Sequence, residues 1–213
     1  MVMTLADLRL EIREELGEAD SEPDPMFSNV YLNKWINRYA AMIAKLTNCI
    51  EGYTTFTTTS GVKIYNMPSN FFKPSLVKRD DKFEITPIDI HKLKTMNISM
   101  SGVPNYYLIL DNSIYFYDTP NTTYTINFWG YKYPAYMNND TDVLDFEDEE
   151  LIEALIMLVI ARAKKKEEEY GVANDYLSKV PGSVSDYLTR TNSNQEQNKA
   201  TVIDVMGYLG GGF

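Results

Sequence analysis

Residues 53–133 have the pattern of short β-strands, and the segments on both sides of them have the pattern of helices. The two helical segments can share one core only if the chain leaves that core, builds the β-rich segment and returns. This order predicts an α+β fold, a helical bundle from the N- and C-terminal segments with an inserted small antiparallel β domain. We expect residues 1–52 and 140–190 to form the bundle and residues 53–139 the inserted domain. Residues 191–213 are expected to form a linker and an extended C-terminal arm.

The N-terminal segment predicts two helices. Thr4 and Asp7 have the spacing of a reciprocal helix cap, and Gly17 is placed to end the first helix. Ser28 or Asn29 is expected to cap a second helix, whose apolar residues keep helical spacing over about four turns.

The inserted segment predicts strands and one short helix. Residues 53–59 and 62–65 are expected to pair as a hairpin around the Ser60-Gly61 turn. A tight turn is expected at Asp111 and Asn112, and a short helix over residues 87–96, because a proline suits the first helical turn. Further strands are expected at residues 76–79, 83–86, 106–110, 113–117 and 123–131.

The C-terminal segment predicts two further helices. Residues 151–161 are apolar on nearly all sides, which indicates a helix enclosed by other helices or by neighbouring subunits. The last helix is expected over residues 172–188, with a kink or a division into two short helices at Pro181 and Gly182.

The end of the chain has two interpretations. Residues 191–199 form a polar linker, and an apolar cluster follows it. The segment is either a frayed tail or an arm that docks on another subunit, by strand addition or by inserting side chains in a groove. The return of apolar residues after the linker favours the arm.

The net charge of −10 is concentrated in two acidic segments, residues 7–24 and 140–153. The second carries eight carboxylates and no Lys or Arg. Such a surface repels phosphate, which disfavours ordinary nucleic-acid binding. On charge alone, a solvated acidic face with carboxylates at helix N-termini explains both segments.

The residues offer little for catalysis. The single cysteine, Cys49, excludes an intrachain disulfide and a multi-cysteine zinc site, and we expect it to be a small core residue. His91 is the only histidine, and neither a glycine-rich phosphate loop nor a Gly-x-Ser-x-Gly motif occurs. The acids at 140–145 lack the ligand spacing of a calcium loop. We therefore expect no enzyme, no cofactor and no metal site.

No apolar run reaches the length needed to cross a bilayer, and the first residues lack the cationic and apolar pattern of a leader peptide. We expect a cytosolic product that is not secreted and has no membrane partner.

Several features follow one another along most of the chain. They are residues 4–9, 27–37, 61–71, 102–106 and 115–120, the acidic entry into the helix at residue 151, and the aromatic helix around Tyr176. In this order they resemble the head-to-tail adaptor, or connector-ring, proteins of tailed bacteriophages, especially short-tailed phages.

The resemblance implies a structural virion protein that forms a ring of twelve copies. The ring would join the portal protein at the capsid vertex to a tail or nozzle protein, and DNA would pass through its lumen without specific binding. It further implies a place at the head–tail interface of the virion after synthesis in the host cytoplasm. The arm would bind the portal through Val202, Ile203, Val205, Met206, Tyr208, Leu209 and Phe213.

A lumen lined by carboxylates would repel DNA and let it slide. The candidates for this role are Asp145, Glu147, Asp148 and Glu149, which could equally face outward. Two alternatives stay open. One is a tail-tip or receptor-binding module whose tyrosine-rich β segment contacts carbohydrate, and the other is a small metal-dependent hydrolase with dispersed ligands.

Overall fold

A computed structural model gives the structure of the protein, and it describes residues 2–18, 26–80, 82–95 and 100–192. The chain divides into two compact units, a helical unit (Met1–Cys49 with Pro134–Phe213) and a β unit (Ile50–Tyr133). The predicted α+β class, with helices from both ends of the chain and a mainly antiparallel β insertion, is confirmed. The predicted C-terminal arm lies outside the described residues.

The described helices are α1 (Leu5–Leu16), α2 (Asn29–Thr47), α3 (Ile90–Thr95), α4 (Glu149–Lys166) and α5 (Tyr170–Asn192). The described strands are β1 (Glu51–Thr57), β2 (Ile64–Asn66), β3 (Phe71–Arg79), β4 (Phe83–Glu84), β5 (Thr86–Pro87), β6 (Ser101–Gly102), β7 (Tyr106–Leu110), β8 (Ser113–Tyr117), β9 (Thr119–Pro120) and β10 (Thr125–Lys132).

The predicted caps of α1 are confirmed. The Thr4 hydroxyl oxygen accepts the Asp7 N–H at 3.2 Å, and the Asp7 carboxylate accepts the Thr4 N–H at 3.0 Å. Gly17 ends the helix at a φ of 76°, a left-handed conformation that glycine adopts without a side-chain clash.

A buried arginine joins α1 to α2. Arg13 is 2% exposed, and its guanidinium donates to the Glu18 carboxylate at 2.5 Å, the Phe27 carbonyl at 2.8 Å and the Asn29 side chain at 2.8 Å. Ser28 is the N-cap residue of α2 but makes no side-chain cap bond. The charge of Arg13 is thus compensated inside the helical unit, as a buried charge requires.

The helix α4 is the centre of the helical unit. It packs against α1, α2 and α5. Its buried residues are Leu151, Ile152, Ala154, Leu155, Ile156, Leu158, Val159, Ile160, Ala161 and Ala163. Helices of the same chain therefore explain why the sequence of α4 is apolar on nearly all sides, and its burial needs no neighbouring subunit.

The helix α5 is continuous from Tyr170 to Asn192 and contains Pro181. The predicted alternative of two short helices is therefore wrong. Val180 and Val184 are buried on either side of the proline. Packing against α4 continues past this position and outweighs the hydrogen bond that proline cannot donate.

Two four-stranded sheets enclose the core of the β unit. Their strand orders are β1-β10-β3-β4 and β2-β8-β7-β5, and β6 pairs with β9. All ladders longer than two residues are antiparallel, whereas β5–β7 and β6–β9 are short parallel pairs. The core residues are Met67, Phe71, Val77, Ile85, Tyr107, Ile114, Phe116, Ile126 and Phe128.

The predicted turn between β7 and β8 is confirmed. Asp111 and Asn112 have φ angles of 48° and 59°, as both central residues of a two-residue hairpin turn of type I′ require. The short helix α3 begins at Ile90 instead of residue 87, because Thr86–Pro87 belongs to β5.

The predicted pairing of residues 53–59 with 62–65 is wrong. The strand β1 pairs with β10, and β2 pairs with β8 in the other sheet. The turn at Ser60 and Gly61 exists, but the Gly61 N–H donates to the Pro120 carbonyl at 2.8 Å. This contact directs the chain from one sheet into the other.

Candidate functional site

The acidic loop, residues 138–148, is attached to the start of α1 by its backbone. The Leu5 N–H donates to the Asp142 carbonyl at 2.8 Å, and the Leu144 N–H donates to the Met3 carbonyl at 3.0 Å. These bonds fix the position of the acidic loop within the helical unit.

Asp140 and Asp142 of the acidic loop have structural partners. Asp140 accepts from the Arg9 guanidinium at 2.7 Å. The side chain of Asp142 accepts the N–H groups of Asn138 and Asn139 at 2.7 and 2.9 Å. These two N–H groups lower the pKa of Asp142, because they bind the charged form.

The segment before the acidic loop is held by a buried asparagine of α2. The Asn37 amide nitrogen donates to the carbonyls of Met137 and Asn33 at 2.9 and 2.8 Å, and its oxygen accepts the Met137 N–H at 2.7 Å. Asn37 thereby satisfies both backbone polar groups of Met137, which is itself buried.

The four predicted lumen residues are close together in the sequence. Three of them are exposed and Asp148 is half-buried. Asp145 accepts the N–H of Ala135 at 2.6 Å, and Asp148 accepts from the Arg190 guanidinium of α5. The remaining two, Glu147 and Glu149, are exposed. The structure therefore gives Asp145 and Asp148 bonding roles inside the chain, and the lumen role of the four residues stays a hypothesis.

Arg190 bridges Asp148 and Glu150, with 3.0 Å to the Glu150 carboxylate. Burial raises the pKa of Asp148, whereas a hydrogen bond from Asp148 lowers the pKa of Glu150.

A shallow cleft of about 310 Å³ lies beside these acids. It is lined by Cys49, Asp145, Phe146, Glu147, Asp148 and Tyr187. Burial raises the pKa of the Cys49 thiol, which keeps it protonated and poorly nucleophilic at neutral pH. The cleft therefore offers no activated nucleophile.

The β unit presents an aromatic surface on the side of β10 that faces away from its core. The rings of Tyr53 and Trp129 lie 4.8 Å apart, and Tyr53 is 54% exposed. Lysines flank the rings, with the Lys78 nitrogen 5.7 Å from Trp129 and the Lys73 nitrogen 5.6 Å from Tyr131. Aromatic residues are enriched in protein interfaces, and the two lysines lie within cation–π distance of the rings.

A cleft of about 390 Å³ adjoins this aromatic surface. It is lined by Glu51, Gly52, Tyr53, Ser75, Leu76, Trp129 and Gly130. Beside the rings, the Asn127 side chain accepts the Tyr53 hydroxyl at 2.6 Å, and its Nδ2 has no hydrogen-bond partner among the described residues.

The described residues hold no cluster of three or more His, Cys, Asp or Glu side chains placed to bind a metal ion. The single histidine, His91, is exposed on α3. The predicted portal-binding residues Val202, Ile203, Val205, Met206, Tyr208, Leu209 and Phe213 lie outside the described residues.

The comparison with protein families decides the classification of this architecture. A family model described as SU10 adaptor protein matches residues 3–200. The chain belongs to the SU10 adaptor protein family. The predicted resemblance to a phage head-to-tail adaptor is thereby confirmed, and the protein is a structural adaptor of a phage virion. The comparison with curated proteins found no match.

The candidate sites of this SU10 adaptor family member are two surfaces, the acidic loop and the aromatic surface of the β unit. No described helix has the length and apolarity to cross a membrane. The sequence analysis named the tyrosine-rich β segment as a possible carbohydrate contact but not the residues of the aromatic surface, although alternate residues of β10 (Thr125, Asn127, Trp129 and Tyr131) carried the signal. Both sides of this strand carry apolar residues, so alternation alone did not show which side is open.

Proposed function

We propose that the protein forms a ring that joins the portal to the tail and surrounds the DNA exit channel. The observation that carries the proposal is the match of the SU10 adaptor family model to residues 3–200, which include nearly all the described residues. The ring would hold twelve copies, with a portal protein on one side and a tail or nozzle protein on the other. This arrangement would place the protein at the head–tail interface, where it conducts DNA during ejection.

The test is electron microscopy of the purified full-length protein with and without the portal protein. We expect a ring stacked on the axis of the portal. A protein that stays monomeric and does not bind the portal would refute the proposal.

We propose the C-terminal arm as the portal contact. Truncation after Asn192 removes the arm but keeps α5 and the contacts of Arg190 with Asp148 and Glu150. We expect this variant to fold, with an unchanged circular dichroism spectrum, and to bind the portal poorly. Normal portal binding would exclude the arm from this contact.

The acidic residues at the start of α4 are proposed to face the DNA. Glu147 and Glu149 are the test positions, because both side chains are exposed. Lysine at both positions should slow DNA ejection, since exposed cations bind phosphates. Lysine at Glu168 and Asp186, which are also exposed, is the matched control. Equal ejection by both variants would place Glu147 and Glu149 away from the channel.

The aromatic surface of the β unit favours one alternative, a receptor-binding module that contacts carbohydrate. Exposed aromatic rings such as Tyr53 offer an apolar face with a polar tip, which suits a sugar as well as a protein. Glycan-array binding that is lost in Tyr53→Ala, together with normal portal binding, would support a receptor role for this surface.

A further inference from the structure

The outer side of α2 is an unusual surface for such an acidic chain. This helix contains no Asp or Glu, and Lys34, Arg38 and Lys45 are all exposed on it. Their spacing of four and seven residues places them on one side of the helix. None of the three forms a salt bridge with any part of the chain that the structure describes.

Apolar side chains continue this basic surface at the start of α2. Val30 is 76% exposed and Tyr31 is 58% exposed. Exposed apolar residues next to cations are more typical of a protein interface than of a phosphate-binding surface. The excess of carboxylates in the whole chain also disfavours DNA as the ligand of α2.

The outer side of α1 has the complementary composition. Asp7, Glu11 and Glu14 are exposed at a spacing that places them on one side, next to the exposed Leu10. The two cations of α1, Arg9 and Arg13, are buried and engaged inside the helical unit. The outer side of α1 is therefore acidic with one apolar residue.

Asp7, Glu11 and Glu14 form no salt bridge with any residue that the structure describes. Burial raises the pKa of Glu11, and repulsion from Glu15 and Glu14 raises it further. An approaching cation would relieve this repulsion. The chain thus carries a basic, apolar helix surface and an acidic, apolar helix surface that do not pair with each other.

We propose that the outer side of α2 is the docking site for the outer side of α1 of a second copy of this chain. The contact is heterologous, since it joins different surfaces of the two copies, and such contacts generate closed rings when the rotation closes. This inference rests on the proposed ring and names the surfaces that build it. Lys34 and Arg38 would face the acids of α1, and Val30 and Tyr31 would pack near Leu10.

Charge reversal in the full-length protein tests the inference. One variant carries Lys34→Glu with Arg38→Glu, a second carries Glu11→Lys with Glu14→Lys, and a third combines all four changes. Lys82→Glu with Lys92→Glu, on exposed residues of the β unit, is the matched control. Ring formation with and without the portal is measured by electron microscopy and sedimentation velocity, and folding by circular dichroism.

We expect each double variant to need about tenfold or more protein for ring formation, because like charges then face each other. The fourfold variant should return to within about threefold of the wild type. An equimolar mixture of the two double variants should also form rings, since each restores the charge that the other lacks. Rings should weaken at about 1 M salt, where the Debye length falls to about 3 Å.

The outcomes separate this inference from the proposed ring itself. A wild-type protein that forms no ring on the portal refutes the ring. The α1–α2 contact is overturned if the Lys34→Glu, Arg38→Glu variant forms rings as readily as the wild type. It is also overturned if the fourfold variant does not restore ring formation. Intact rings with a loss of salt-dependent DNA binding in that variant would assign the α2 surface to DNA instead. Mixed variants that form only dimers would also overturn the proposed heterologous contact.

Discussion

The guanidinium of Arg9 lies 2.7 Å from the carboxylate of Asp140, and this pair joins α1 to a loop that follows the whole β unit. The side chain of Arg9 is largely buried, whereas that of Asp140 is 72% exposed. Together with the backbone hydrogen bond from Leu5 to Asp142, this ion pair connects the N-terminal helix to the segment that follows the β unit. Some of the acidic residues that follow the β unit therefore stabilise the helical unit.

Arg13 is expected to be the most sensitive charged residue of the helical unit. Arg13→Ala should lower the free energy of unfolding by about 3–5 kcal/mol, because it leaves the largely buried Glu18 carboxylate without its cation. Urea unfolding followed by circular dichroism measures this change. Lys166→Ala, at an exposed lysine of α4, is the control and should change stability by less than about 0.5 kcal/mol. Equal effects would contradict the buried role of Arg13.

Asn37 and Asn127 are both buried, but their substitutions should differ. Asn37→Ala removes three hydrogen bonds and leaves both backbone groups of Met137 unpaired, so we expect a loss of about 2–4 kcal/mol. Asn127→Ala removes one bond to the exposed Tyr53, whose hydroxyl can turn to water, and should lose less. Thermal unfolding of both variants checks the order, and a larger loss at Asn127 would be the contrary result.

The strand β10 requires glycine at residue 130. A Cβ atom there would lie 2.5 Å from the Lys73 carbonyl oxygen and 2.9 Å from the Phe128 ring. Gly130→Ala should therefore destabilise the β unit by about 1–3 kcal/mol, as other overpacked sites do. Gly102→Ala is the control, since its Cβ atom would come no closer than 3.6 Å to Asp118. Denaturant unfolding followed by tryptophan fluorescence, with Trp129 in the same strand, measures both.

Local sequence rules predicted the elements better than their partners. The Thr4–Asp7 cap and the Asp111–Asn112 turn depend on residues within three positions, and both are confirmed. The pairing of β1 depends on β10, at the far end of the β unit, and the sequence pattern suggested a neighbouring strand instead. Periodicity predicts a strand but does not identify its partner.

The same limit applied to the candidate sites. The sequence identified the acidic segment but not the partners that Arg9 and Arg190 bring to it from distant helices. It also could not distinguish enclosure of α4 by its own chain from enclosure by neighbours, because both produce the same apolar pattern. The buried contacts of α4 with α1, α2 and α5 make this distinction.

Acid should loosen the start of α1 through Asp7 and Asp142. Hydrogen bonds from Thr4 lower the pKa of Asp7, and those from Asn138 and Asn139 lower that of Asp142, from a common ordinary value of 3.8. A carboxylate with a lowered folded-state pKa contributes stability above its unfolded pKa and loses it as the pH falls through the folded-state pKa. The contribution of both groups should thus be complete above about pH 5 and decline below about pH 4.

The variant Asp7→Asn with Asp142→Asn tests this linkage. It should reduce the pH dependence of the unfolding free energy between about pH 5 and pH 3, measured by urea titration at each pH. An unchanged pH dependence of the unfolding free energy in the double variant would contradict the linkage of these two carboxylates to folding.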